Sequence, residues 1–320
     1  MTAPAARRAA TGALVWLVLT LIPVAAAAQD LTPRAYYPAP VSSNAIVVTY
    51  LLARGEVLFD PTVPVSDVTA TIHSPVITYY HAFSLAGRSA HVTGSLPFAS
   101  GELRGKLLGE DRAIHRRGAA DAAVRLGVNL LGAPARAVPE FIKAGPSRWL
   151  IGASLKVMLP TGEYDPERLI NLGANRWAFK PELAALRRVG RVVLEGYGGV
   201  WLFTANDDFF RAAGASIGAK RTQAPIGAWE LHVSYDVNPR FWISGDLNYW
   251  HGGRISVDGV AGDTLQANSR LGVTGSVPLT RRQSVKVSYS DGLVIRAGGR
   301  FRMLSAGWQY GWIGRRFRAR

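Results

Sequence analysis

Three residues on one short stretch, His232, Ser234 and Asp236, are of the types that make a hydrolytic triad: an imidazole base, a hydroxyl nucleophile and an orienting carboxylate. Their spacing works against that chemistry. Positions two apart on a strand lie about 7 Å from one another, beyond the hydrogen-bond reach that nucleophile and base require. A facing strand could instead bring Ser244 or Asp246 to His232, so a hydrolase stays as the minor alternative, with no catalytic residue assigned. The 6 histidines are scattered and cysteine is absent, which leaves no metal-ligand spacing, and no Gly-rich phosphate loop joins a strand to a helix. No metal or cofactor is expected. Asn206-Asp207-Asp208 offers oxygens to a divalent cation, although a solvated turn is the simpler reading.

The stretch that must position these groups, IGAWELHVSYDVNPRFWISGDLNYW from Ile226 to Trp250, has a period of two and reads as two strands. Trp229, Leu231, Val233, Tyr235 and Val237 alternate with Glu230, His232, Ser234 and Asp236; Phe241, Ile243, Gly245, Leu247 and Tyr249 alternate with Trp242, Ser244, Asp246 and Asn248. One face is apolar and aromatic, the other polar. Such a pair suits a soluble sheet packed on one side, or a lipid-facing barrel with a wet interior.

Arg7 and Arg8 precede an apolar run from Ala13 to Ile22 and an Ala-rich segment, the pattern of a signal peptide over 1–28, cleaved after Ala28. That run is too short for a membrane-spanning helix of about 20 residues. The rest of the chain holds no longer one, so it can enter a membrane only as a closed barrel. The formal net charge is +15, or +13 without Arg7 and Arg8. Because the charge is scattered and the chain is exported, nucleic acid is not an expected partner; membrane lipid and a small solute are. The oligomeric state is not legible.

After a Pro-rich lead-in (29–44) that plugs or rims the structure, twelve strands are expected between 45 and 312: about 45–54, 68–83, 88–99, 124–130, 149–159, 177–186, 192–204, the opening pair, 265–277, a segment around 284–289, and 301–312. Pro75 predicts a bulge or a register change. Residues 100–119 read as a charged loop, and 132–148 as a connection with a short helix near 138–143. Long and short connections alternate, with 132–148 the exception. An even strand number, one-sided long loops and aromatic girdles point to an all-β, antiparallel outer-membrane β-barrel of about twelve strands, followed by a basic tail, 313–320.

In such a barrel the inward faces carry Arg125, Asn129, Lys156, Lys180, Glu182, Glu195, Tyr197, Trp201, Glu230, His232, Asp236, Trp242, Asp246, Arg270 and Lys286. These are the candidate solute path. Their charges nearly cancel, which argues against strong ion selectivity, and in a narrow bore they either fill the lumen or make a polar track beside aromatic rings. In the loop from Pro160 to Trp177, Tyr164, Asp165, Arg168, Asn175 and Arg176 are gate candidates that either turn inward or cover the rim.

Several segments carry a family resemblance: DLTPRAYYPAPVSSNAIVVTY, GEVLFDPTVPVSD, LPTGEYDPERLINLGANRWAFKPELA, LEGYGGVWLFT, WHGGRISVDGV and LQANSRLGVTGSVPL. Together they resemble outer-membrane transporters similar to the MetA-pathway phenol-degradation protein. The resemblance implies a barrel in the bacterial outer membrane that passes small, often aromatic or apolar compounds, and it transfers no catalytic residues. Such barrels usually end on an aromatic residue; here the aromatic strand closes at Trp312, with Phe317 a second candidate. A structural barrel with a plugged lumen is the alternative function.

Overall fold

The computed structural model describes residues 32–58, 65–107, 110–168, 170–211, 218–238 and 240–314. The signal-peptide segment and Phe317 lie outside them. In chain order the elements are β1 (Ser43–Leu58), β2 (Val65–Leu85), β3 (Arg88–Leu107), β4 (Glu110–Ala119), β5 (Ala123–Leu131), α1 (Val138–Ala144), β6 (Trp149–Met158), β7 (Ala178–Val189), β8 (Val192–Phe203), β9 (Arg221–Gln223), β10 (Ile226–Asp236), β11 (Trp242–Gly252), β12 (Ile255–Val257), β13 (Val260–Ala261), β14 (Gln266–Pro278), β15 (Gln283–Val294) and β16 (Gly298–Ile313).

One 13-stranded antiparallel sheet holds all but β9, β12 and β13, which make a small sheet of their own. Pairing of β1 with β16, from Ser43 opposite Ile313 to Leu58 opposite Gly298, closes the large sheet. Residues Ala90–Ser95 of β3 pair with β5, whereas Phe98–Leu107 pair with β4. β4 and β5 are therefore one strand interrupted at 120–122, and the molecule is a closed barrel of 12 antiparallel strands. Closure leaves no exposed sheet edge around most of the wall, the condition for placing backbone in lipid.

Two local expectations change. The charged segment 100–119 is not a loop, because β3 and β4 continue through it as a hairpin. Pro75 produces no register change, since His73 faces Ser100 and Val76 faces Pro97 in one continuous register. Proline donates no ladder bond, and beside it the Ser74 hydroxyl donates to the Phe98 carbonyl at 2.8 Å. The register shift in this strand lies between Ser66 and Thr69 instead.

The side-chain period sets two surfaces. Leu183, Leu194, Trp229, Leu231, Val233, Tyr235, Leu271, Val273 and Val287 point outward and are exposed, an apolar wall suited to lipid and wasteful in water. Trp229 stacks on Tyr249 at 5.7 Å. Tyr235, at the other end of β10, is about 20 Å away along the strand, as girdles on two interfaces require. Buried polar side chains occupy the inside. The tight turn at one end of β2–β3, with Ala86 and Gly87 at φ 48° and 75°, is the primed type that suits hairpins. The other short turns, both chain ends of the sheet and the 132–148 segment with α1 share this short-turn end, while the small sheet sits among the long loops.

Candidate functional site

Inside the barrel, β5, β7, β10 and β11 contribute a connected set of charges. Lys180 pairs with Glu182 on its own strand at 2.5 Å and with Glu230 at 3.0 Å; Arg125 reaches Glu182 at 2.8 Å. His232 lies between Glu230 at 3.5 Å and Asp246 at 2.8 Å. Asp246 also accepts from Ser244 at 2.9 Å and Thr274 at 2.7 Å. Room for Lys180 and Glu182 comes from the facing Gly199, where an added Cβ would stand 2.8 Å from the Pro181 carbonyl and 3.2 Å from the lysine stem. This side is closely packed: Glu230, His232, Asp246, Asn248 and Arg270 are all at most 2% exposed. Charges so deeply removed from water are tolerable only with compensating partners: Glu230, His232 and Asp246 have ionic ones, and Arg270 donates to the Ser290 hydroxyl and the Phe301 carbonyl.

The Pro-rich lead-in enters the lumen from the short-turn end and completes that packing. The Tyr36 hydroxyl donates to Glu182 at 2.9 Å and meets Ser154 at 2.8 Å, and Asn129 donates to the Tyr36 carbonyl at 3.2 Å. The ring stands edge-on to Tyr197 at 5.1 Å, with the Arg125 guanidinium 4.8 Å from its centre. Arg34 binds Asp236 at 2.5 Å and lies over Trp242 at 4.4 Å; its backbone N–H donates to Glu195. Arg188 joins Asp236 and Tyr37. Of the two roles open to the lead-in, plug or rim, these contacts make it a partial plug.

At the other end the 159–177 loop is fastened to the break between β4 and β5. Asp121 accepts the backbone N–H of Gly162 at 2.9 Å and of Ala174 at 2.8 Å, although burial raises its carboxyl above the usual range. Gly162 and Gly173 touch through their backbones, an added Cβ on either coming within 2.7 Å of the other. Gly162→Val is therefore expected to lose roughly 2 kcal/mol by overpacking and to expose the loop to proteolysis, read as a faster nick within 159–177; an unchanged digestion pattern would contradict the clasp. The loop then carries Ile170 inward onto Ala53, Val57, Val68, Ala70, Leu103 and Phe301, an apolar patch on the adjoining strands β16, β1, β2 and β3.

The gate candidates mostly secure this loop. Tyr164 donates to the carbonyls of Asp208 and Phe209, Asn171 bonds Asp165, and Asp165 pairs with Arg168 at 2.9 Å. Asn175 donates to Asn206 at 3.0 Å, while Arg176 donates to Gln223 and lies 4.5 Å from the Phe203 ring. Burial, and then the nearby Arg221, pushes Arg176 well below the usual arginine range; burial lowers Arg221 to about 10, so Arg221 stays charged at neutral pH.

A family model described as "Putative MetA-pathway of phenol degradation" matches residues 59–310. The chain belongs to that family. No curated protein sequence matches it. Among solved structures, an outer membrane channel from Pseudomonas putida F1 is similar at 19% identity and a TM-score of 0.71, over 88% of this chain and 100% of that one. The β domain of the Bordetella autotransporter BrkA follows at 11% identity and a TM-score of 0.49, over 84% and 100%. At such identities the first likeness establishes the barrel fold.

In this member of the family the predicted path residues divide into two groups. Arg125, Asn129, Lys180, Glu182, Glu195, Tyr197, Trp201, Glu230, His232, Asp246 and Arg270 belong to the packed side; Lys156 lies 5.7 Å from the buried Trp201 ring. Asp236, Trp242 and Lys286 instead line a cavity of about 1620 Å³ that opens at the short-turn end beside the lead-in. Its deeper wall is made by Thr49, Thr78, Thr93, Lys286 and Ser305. The triad types do not assemble: His232 meets Asp246 rather than Ser244, and Ser244 donates to Asp246. Asp208 of the acidic turn binds Arg211 at 2.5 Å and Asp207 binds Lys220 at 2.9 Å. Sequence reading missed Arg34, Tyr36, Arg188 and Ile170; only the YY pair within an irregular segment hinted at an aromatic anchor.

Proposed function

We propose that the protein is an outer-membrane channel for small solutes, including aromatic ones, with the short-turn end in the periplasm and the long loops outside. The observation that carries this reading is the cavity of about 1620 Å³ running into the lumen along Thr- and Ser-bearing strands, beside a half that is packed solid. The lipid-facing exterior supports the location. A solute would pass between the lead-in and the β1–β2–β16 wall and then meet the apolar patch under Ile170. An apolar surface beside the path is less hospitable to water and hydrated ions than to a ring-bearing solute. That filter favours aromatic compounds, in keeping with the family description.

Ile170 overhangs the path from the loop in this scheme. Ile170→Gly removes the side chain from the apolar patch and is expected to raise single-channel conductance about threefold, since an apolar obstruction resists wetting. The measurement is planar-bilayer recording of the reconstituted barrel. Silent bilayers with wild type and variant alike would leave the structural-barrel alternative in possession.

A further inference from the structure

Counted strand by strand, the inward charges nearly cancel. The turns reverse that balance at one mouth. Among the described residues lining the short-turn cavity, eight bear a positive charge and one, Asp236, a negative charge. Asp236 is already held between Arg34 at 2.5 Å and Arg188. Arg136, Arg191, Arg240, Arg281 and Arg282 face the same space, and the lining contains no second carboxylate. Arg240 donates to the Thr280 carbonyl at 2.9 Å and Arg282 to the Tyr310 hydroxyl at 3.4 Å. Those acceptors are neutral, so they anchor a guanidinium without cancelling its charge.

Cations gathered around an aqueous mouth with low-dielectric walls focus a positive potential and raise the local concentration of anions. Ring faces lie in the same lining: Tyr37, Trp242 and Tyr310. Arg34, stacked at 4.4 Å from Trp242 and 4.9 Å from Tyr37, shows that guanidinium and ring surface are already interleaved there. Guanidinium groups also match carboxylates geometrically.

We infer that this mouth selects organic anions and that the barrel's solute class is an aromatic carboxylate. The inference rests on the channel reading above and narrows its solute. A rival account has the arginines meeting lipid phosphates at the interface, as the outward-facing, exposed Arg187 is placed to do. The two accounts differ in what reaches the pore.

The test uses the full barrel in phosphatidylcholine bilayers under a KCl gradient. The reversal potential is expected to give chloride over potassium by roughly fivefold. The triple variant Arg191→Gln/Arg281→Gln/Arg282→Gln should bring that ratio close to unity, while Arg187→Gln leaves it unchanged; heat-modifiable gel mobility checks that each variant is folded. In liposomes, benzoate should enter about tenfold faster than benzylamine, a ratio the triple variant abolishes. Conductance with no anion preference, or a preference the triple variant keeps, overturns the inference and leaves the channel reading standing. No conductance under any condition overturns both.

Discussion

Tyr36→Ala is expected to free the lead-in and raise the single-channel conductance several-fold. Tyr36 is 1% exposed and stands among Ala133, Leu150, Ala184, Leu186, Val193 and Tyr197. Its hydroxyl and its carbonyl both have buried partners on the barrel wall. Truncating a buried aromatic side chain costs about 3–5 kcal/mol. Here the loss falls on docking of the lead-in, because no ladder bond of the barrel involves residue 36. A change of that size moves the docked-to-free ratio by a factor of roughly 10²–10⁴. Tyr36→Phe keeps the ring, gives up the bonds to Glu182 and Ser154, and should show a smaller rise. Bilayer recordings of the three proteins check the order; equal conductances would mean that the lead-in does not obstruct the path.

Asp246→Ala should destabilise the barrel by about 3–5 kcal/mol, the range for removing one member of a buried ionic network. The carboxylate takes hydrogen bonds from His232, Ser244 and Thr274, all buried. Alanine would leave three donors without an acceptor and His232 with Glu230 alone. Asp246→Asn keeps the shape and one acceptor, and should lose less. Denaturant unfolding of the detergent-folded barrel, followed by tryptophan fluorescence, gives the difference. Conductance of the folded Asp246→Ala fraction should stay at the wild-type level, since this residue belongs to the wall. A shift below about 1 kcal/mol would show that the network is not a stiffener, exposed pairs being worth that little.

The transmembrane wall was legible because lipid imposes one rule on every strand: apolar out, polar in. Leu231 and Val233 against Glu230 and His232 declare that rule without any knowledge of their neighbours. Above the lipid the rule lapses. Glu102, Arg104, Glu110 and Arg112 form exposed ion pairs on the β3–β4 hairpin, and with charge on such strands the segment reads as a loop. The lead-in was recognisable as irregular from its prolines, yet Tyr36 finds its partners 118 and 146 positions away, a distance no local pattern spans. The charge of the short-turn mouth was illegible for a related reason. Strand alternation ranks the inward groups strand by strand, whereas Arg191 and Arg281 sit in turns that converge on one mouth only once the barrel has closed. Ile170 belongs to a loop whose polar residues suit a gate; those residues hold the loop, and the apolar one packs on the inner wall.

The claim that the solute path runs along the Thr and Ser wall, beside a solid half, has a direct test. The chain contains no cysteine, so a single introduced thiol is the only reactive one. Ser305→Cys faces the cavity, and Ser234→Cys lies in the packed half at 0% exposure. Treatment with a water-soluble methanethiosulfonate during single-channel recording is predicted to block Ser305→Cys and leave Ser234→Cys conducting. Block at Ser234→Cys with none at Ser305→Cys would contradict the account.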